Sequence, residues 1–149
     1  MALPYESATS GEKAIGEIQN ILQGFGCVKF GSMMDFSTGE LLVQFEYRGR
    51  HVSVKASAKG YAAAWLRQNP FTSRTRATRE QHEKRALDIG GTAIYSMVRD
   101  WIKGQVTAIE TGILTFDGAF LGQLLLKNGQ TVLEKVTESK MLSIEDARG

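Results

Sequence analysis

Between Glu40 and Ser57 the chain alternates apolar and polar residues with a period of two. Leu41, Val43, Phe45 and Tyr47 fall on one side, and Gln44, Glu46 and Arg48 on the other. After Arg48-Gly49-Arg50, Val52, Val54 and Ala56 continue the apolar side, while His51, Ser53 and Lys55 are polar. A period of two is the side-chain period of a strand, and a break this short joins antiparallel neighbours. This stretch constrains the fold most, because a sheet apolar on one face has to bury that face. The preceding segment, Cys27 to Phe36, reads as a further strand with Val28, Phe30 and Met34 on one face, and DFSTGE reads as a turn.

The cover is helical. Thr9 and Glu12 fit a capping box at the start of a helix near Thr9 or Ser10, and Ala14, Ile15, Ile18, Ile21, Leu22 and Phe25 recur at helical spacing. Gly24 and Gly26 end it. Ala58 to Asn69 reads as a second helix, bounded by Pro70. PFTSRTRAT reads as a loop. From Thr78, with Gln81 as capping partner, a long helix carries Ala86, Ile89, Ile94, Met97, Val98, Trp101, Ile102 and Ile109. Gly90-Gly91 marks a kink or the close approach of another backbone. Thr115 starts a short helix, and Asn128-Gly129 predicts a hairpin across LLLKNGQTVLEKV. The expected architecture is α+β: a small antiparallel three-stranded sheet packed by helices, with a long helix in the C-terminal half and a short terminal hairpin. At 149 residues the chain is expected to form one domain, 1–149, with residues 1–8 and 139–149 loose.

Several classes are excluded. Cys27 is the sole cysteine, so no internal disulfide or cysteine metal cluster forms within one chain. No stretch approaches the length of a membrane span, and MALPYESATSGEK has no signal-peptide pattern. A cytoplasmic location is expected. His51 and His82 lack metal-ligand spacing, and no cofactor is indicated.

The formal net charge is +2, but it is unevenly spread. Residues 48–103 hold 12 Lys and Arg against 4 acids, a net of +8, while residues 1–47 carry −4 and residues 104–149 carry −2. The sharpest cluster is Arg67, Arg74, Arg76, Arg79, Lys84 and Arg85, at and beside the PFTSRTRAT loop. Guanidinium forks suit phosphate oxygens, Thr72, Ser73, Thr75 and Thr78 add hydroxyls, and the following helix start adds N–H groups. Lys55 and Lys59 extend the set if the fold brings them to the same side. Tyr61 and Trp65, spaced i,i+4, read first as a core stripe, with base stacking or anchoring of a partner as the alternative, and Phe71 reads equally as an exposed anchor or a plug over the core. Asp35, Glu46 and His51 would form a catalytic constellation only by converging across the sheet.

Residues 98–132 (VRDWIKGQVTAIETGILTFDGAFLGQLLLKNGQTV) and 61–71 (YAAAWLRQNPF) resemble small, mostly uncharacterised proteins of tailed bacteriophages and prophages. The resemblance transfers no catalytic residue. It implies a phage accessory protein in the host cytoplasm. The expected function is non-catalytic binding of nucleic acid or a phosphorylated nucleotide. The alternatives are an inhibitor or adaptor that docks on an acidic host protein, a nuclease or other hydrolase, and a homo-oligomer with a phosphorylated ligand between subunits.

Overall fold

The computed structural model describes residues 2–142. The first helix, α1 (Gly11–Phe25), is capped by Ser10, whose hydroxyl accepts from the Lys13 N–H. Thr9 lies one residue outside the cap. Gly26, at φ 111°, closes the helix: its N–H reaches the Leu22 and Gln23 carbonyls, and the Cys27 N–H reaches Leu22.

Strands β1 (Lys29–Asp35), β2 (Glu40–Tyr47) and β3 (Arg50–Ser57) form an antiparallel sheet in the order β1-β2-β3. The β2–β3 connection is the two-residue turn Arg48-Gly49, with φ of 47° and 79°. Positive φ at both positions matches the right-handed strand twist, which is why glycine serves there. Leu41, Val43, Phe45 and Val52 are buried, as the alternation predicts. Ser53, expected to face solvent, is also buried; its hydroxyl accepts from Gln44. Val28 lies outside β1 and is exposed.

Helix α2 (Ala58–Gln68) follows β3 directly, capped by Ser57. Helix α3 (Arg79–Glu110) runs 32 residues, about 48 Å at 1.5 Å per residue. Gly90-Gly91 does not interrupt it. Gly90 is instead where α2 crosses, since a Cβ there would stand 2.8 Å from the Ala58 carbonyl oxygen. The inner sheet face packs on Ile18 and Leu22 of α1 and on Ile94, Val98, Ile102 and Val106 of α3. Trp101 stands at the margin of this core, 38% exposed, with its edge against Phe120.

Helix α4 (Phe116–Phe120) and a 3-10 turn (Leu121–Gln123) lead the chain back to β3, where Leu124 bridges Val52 and the Leu125 N–H reaches the His51 carbonyl. Arg50 and Asp117 fasten α4 to β3 through two parallel hydrogen bonds of 3.0 and 3.1 Å. The expected terminal hairpin is reduced to its turn and one bridged pair, Leu125 with Thr131. Its return arm is helix α5 (Val132–Glu138). Thr131 and Glu134 form a capping box, and that local signal outweighs the strand propensity of Thr-Val-Leu. No helix of the described residues is long and apolar enough to cross a membrane.

Residues 2–8 are docked rather than loose. Leu3 packs against the cluster of Ala62, Trp65 and Ala86, the Tyr61 hydroxyl donates to the Pro4 carbonyl at 2.6 Å, and the Tyr5 hydroxyl donates to Asp100 on α3 at 2.7 Å. The Asp100 carboxyl is held below its ordinary range by the Arg99 hydrogen bond first and by that of Tyr5 second. The Tyr5 phenol is pushed up, chiefly by the same bond to Asp100. The part of that lowering that comes from Tyr5 stabilises the docked segment above the ordinary carboxylate range and is lost as pH falls through the folded value of Asp100. A raised Tyr5 does so below the ordinary phenol value of about 10 and stops as pH rises through its folded value. Hydrogen exchange of residues 2–8 is therefore expected to be slowest relative to the intrinsic rate near neutrality. The Tyr5→Phe variant should lose the alkaline change. Of the tail expected to be loose, 139–142 belongs to the described structure, and 143–149 lies outside the described residues.

Candidate anion-binding site

The antiparallel packing of α2 and α3 brings the last turn of α2 against the first turns of α3, with residues 69–78 as the connecting loop. Trp65 is buried between the helices, close to His82 at 5.2 Å between ring centroids. His82 meets Phe71 at 5.9 Å. Its Nε2 lies 2.6 Å from the Asn69 carbonyl oxygen. A carbonyl only accepts, so Nε2 carries the proton and ties the C-terminus of α2 to α3. Arginines lie over the two outer rings: Arg85 Cζ is 5.9 Å from the Trp65 centroid and Arg79 Cζ is 4.8 Å from that of Phe71. Arg85, Trp65, His82, Phe71 and Arg79 thus form one continuous run of cation–aromatic and ring–ring contacts.

Beside this run lies an open cleft of about 410 Å³, lined by Arg76, Arg85, Gln81, Thr75, Ala77 and the edges of Trp65, Asn69 and His82. The loop is shaped by its own hydroxyls. The Thr72 N–H donates to Thr75 Oγ1, the Arg74 N–H to Thr72 Oγ1, and the Thr75 N–H to the Thr72 carbonyl. These hydroxyls act as acceptors, so their own protons are left for a ligand. The start of α3 is capped as expected, which leaves fewer free N–H groups for an anion. Thr78 and Gln81 cap one another through both backbone and side chain, so the Gln81 N–H and the Thr78 hydroxyl oxygen are already engaged. The N–H groups of Arg79 and Glu80 are the ones left over.

The structure sorts the candidate residues. Arg67, in the last turn of α2, and Arg74, Arg76, Arg79 and Arg85 are exposed, and none makes an ion pair among the described residues. Arg76 and Arg85 share the cleft. Other cations are engaged: Lys84 with Asp88 at 3.3 Å, Lys55 with Glu134 at 3.6 Å, Arg50 with Asp117, and Arg99 with Glu17 and Asp100. Lys55 is therefore removed from the set by α5, and Lys59 sits at the opposite end of α2 from Arg67. Trp65, 5% exposed, is a core residue and not a stacking platform. Tyr61 is half-buried, with its hydroxyl held by Pro4. Phe71 is half-buried under Arg79, so it supports that guanidinium and is no exposed anchor.

Gln81 and His82 are the members of the site that their sequence context does not single out. Gln81 reads as a cap, and His82 falls within the buried stripe of α3. The signal that could have found His82 is Trp65 four residues before a helix-ending Asn69-Pro70, which leaves a carbonyl to be met by a donor.

The possible catalytic constellation does not assemble. His51 Nδ1 stands 3.6 Å from Glu46 Oε1, but Asp35 pairs with Glu40 at the opposite end of β2. Six strand positions separate Glu40 from Glu46, about 20 Å at 3.4 Å per residue. Asp35 instead shapes its turn, accepting from the Ser37 hydroxyl and from the Ser37 and Thr38 N–H groups. Those bonds, that of the Ser37 hydroxyl first, hold its carboxyl below the usual range. Among the described residues no group of three His, Cys, Asp or Glu side chains is placed to hold a metal ion. Comparison with protein-family models, with curated proteins and with solved structures finds no match to this chain, so its functional reading rests on the chemistry of the arginine-lined loop.

Proposed function

We propose that the protein is a non-catalytic accessory protein that binds the phosphate backbone of a nucleic acid through Arg67, Arg74, Arg76, Arg79 and Arg85. The phage context is the one that the resemblance of residues 61–71 and 98–132 implies. One observation carries the reading: these five arginines lie at one end of the α2–α3 pair and none is within ion-pair distance of a carboxylate among the described residues, Glu80 and Glu83 of the same turns included, while Arg50, Lys55, Lys84 and Arg99 each have at least one. An array of unmatched guanidinium forks repels itself and is relieved by an anion that spans several of them. The contacts available are to phosphate, so binding is largely independent of base sequence.

The test is affinity for single- and double-stranded oligonucleotides across a salt series. Five phosphate contacts predict a slope of log K against log salt of about −3.5 for single strands and about −4.5 for duplex. Each Arg→Gln change in the set should reduce the slope by about one contact. Lys55→Gln and Lys59→Gln should leave it unchanged. Absence of binding at low salt overturns the reading. The same unmatched charge favours, as second reading, an acidic patch on a host protein. In that case capture from host lysate survives nuclease treatment, whereas under the first reading it is lost.

A further inference from the structure

The two edges of the sheet are treated differently. That of β3 is met by Leu124 and Leu125, whereas the outer edge of β1 pairs with nothing among the described residues. Unpaired edges are commonly blunted by proline, a bulge or an inward-pointing charge. The seven residues of β1, KFGSMMD, contain no proline, pair with β2 without a bulge, and carry charge only at their two ends, Asp35 and Lys29, the latter 77% exposed and 3.7 Å from Glu46 of β2.

That sequence is complementary to itself. Laid antiparallel on a second copy about Ser32, Lys29 falls opposite Asp35, Phe30 opposite Met34, Gly31 opposite Met33, and Ser32 opposite Ser32. One step beyond, Val28 falls opposite Phe36. Val28 and Phe36 are 69% and 90% exposed, and Met33 between them in β1 is 68% exposed, so apolar side chains lie open along the whole edge strand. Val28 and Phe36 share the parity of Phe30 and Met34, which pack on the helical layer. The space around the edge fits as well. A cleft of about 290 Å³ lies beside Cys27, Val28 and Phe30, and one of about 350 Å³ lies beside Met34 and Phe36. A two-fold axis through Ser32 carries Phe36 of each copy to the Val28 end of the other. Gly31, with open space around it, leaves room opposite Met33.

We propose that β1 pairs with β1 of a second copy of this chain, antiparallel and in register about Ser32, joining two sheets into one of six strands. Opposite charges at both ends select this register, since a shift by two residues in either direction removes both Lys29–Asp35 pairs.

Sedimentation of the nuclease-treated full chain tests this without nucleic acid as a bridge. The expected mass is twice 16.4 kDa and falls toward the monomer on dilution. Register is read from Ser32→Cys in a Cys27→Ala background. Directly opposed residues of antiparallel strands lie about 4.5–5.5 Å apart at Cα, within disulfide reach. Mild oxidation should link S32C into a dimer, while the loop variant S73C, at a position that is also exposed, stays monomeric. Lys29→Asp or Asp35→Lys alone should shift the protein toward monomer, and the double reversal should restore the dimer. Asp35 also anchors its turn, so if its variants unfold the cross-link decides. A monomer at all concentrations overturns the proposal, as does a dimer in which S32C links no faster than S73C.

Discussion

Replacing Phe120 with alanine is expected to lower the unfolding free energy by about 3–5 kcal/mol. Phe120 is fully buried, edge-on to Phe45 of β2 at 5.3 Å and to Trp101 of α3 at 5.6 Å, and tilted against Phe116 at 5.1 Å. It is the large side chain that closes the core where the sheet and α3 leave a gap, and its removal leaves a cavity lined by rings that cannot collapse together. A domain has about 5–15 kcal/mol in all, so the variant should be marginal at 37 °C. Urea unfolding checks it: the midpoint should fall steeply while the slope stays that of the parent. A loss below about 1 kcal/mol would mean that α4 lies on the surface of the core without completing it.

Gly90 and Gly91 should respond to alanine with opposite signs. Helix propensity alone favours alanine by about 1 kcal/mol at either position. A Cβ at Gly90 would stand 2.8 Å from the Ala58 carbonyl oxygen and 3.3 Å from the Ala62 amide nitrogen. Both are backbone atoms of α2, so no rotamer change relieves the overlap and the helices must separate. Gly90→Ala is expected to destabilise by about 1–3 kcal/mol net. At Gly91 nothing lies within 4 Å, so Gly91→Ala should stabilise by up to about 1 kcal/mol. Thermal melts of the two variants give the signs directly. Equal shifts would mean that α2 does not rest on Gly90.

The contrast shows what a linear sequence conveys. The period of two over residues 40–57 contains the sheet, because alternation is a local property of the strand. The capping pair Thr78–Gln81 contains the start of α3 for the same reason. That two glycines interrupt a helical stripe is visible too, but which one meets another backbone depends on where α2 crosses. The second arm of the terminal hairpin was illegible because Asn128-Gly129 and Thr131-x-x-Glu134 are competing local signals a few residues apart, and the capping box prevails after one bridged pair. At the site, the arginine-rich loop is plain in the sequence, since charge density needs no fold to be counted. Ion pairing is not: Glu134 takes Lys55 from 79 positions away. The burial of Trp65 was legible, since its i,i+4 spacing from Tyr61 favours a core stripe over the stacking platform that the same spacing allows. His82 was hidden because a polar residue on a buried helix face shows its purpose only beside the carbonyl that it meets.

The bridge between Val52 and Leu124 spans 72 positions. At roughly 5–20 residues per second a ribosome needs about 4–14 s to make that stretch. Once Ser57 is made the residues of β1, β2 and β3 are all present, but Phe45 has no Phe120 above it and both sheet edges are open. Local pairs such as α2 with α3 can form early, while cover of the β3 edge waits for the last third of the chain. A nascent chain stalled before Phe120 would expose Phe45 and Val52 together with two unpaired edges, the combination that favours sheet-to-sheet aggregation. Output of folded protein should thus depend on the speed of translation between the codons for Ser57 and Leu125 more than on codons elsewhere in the message.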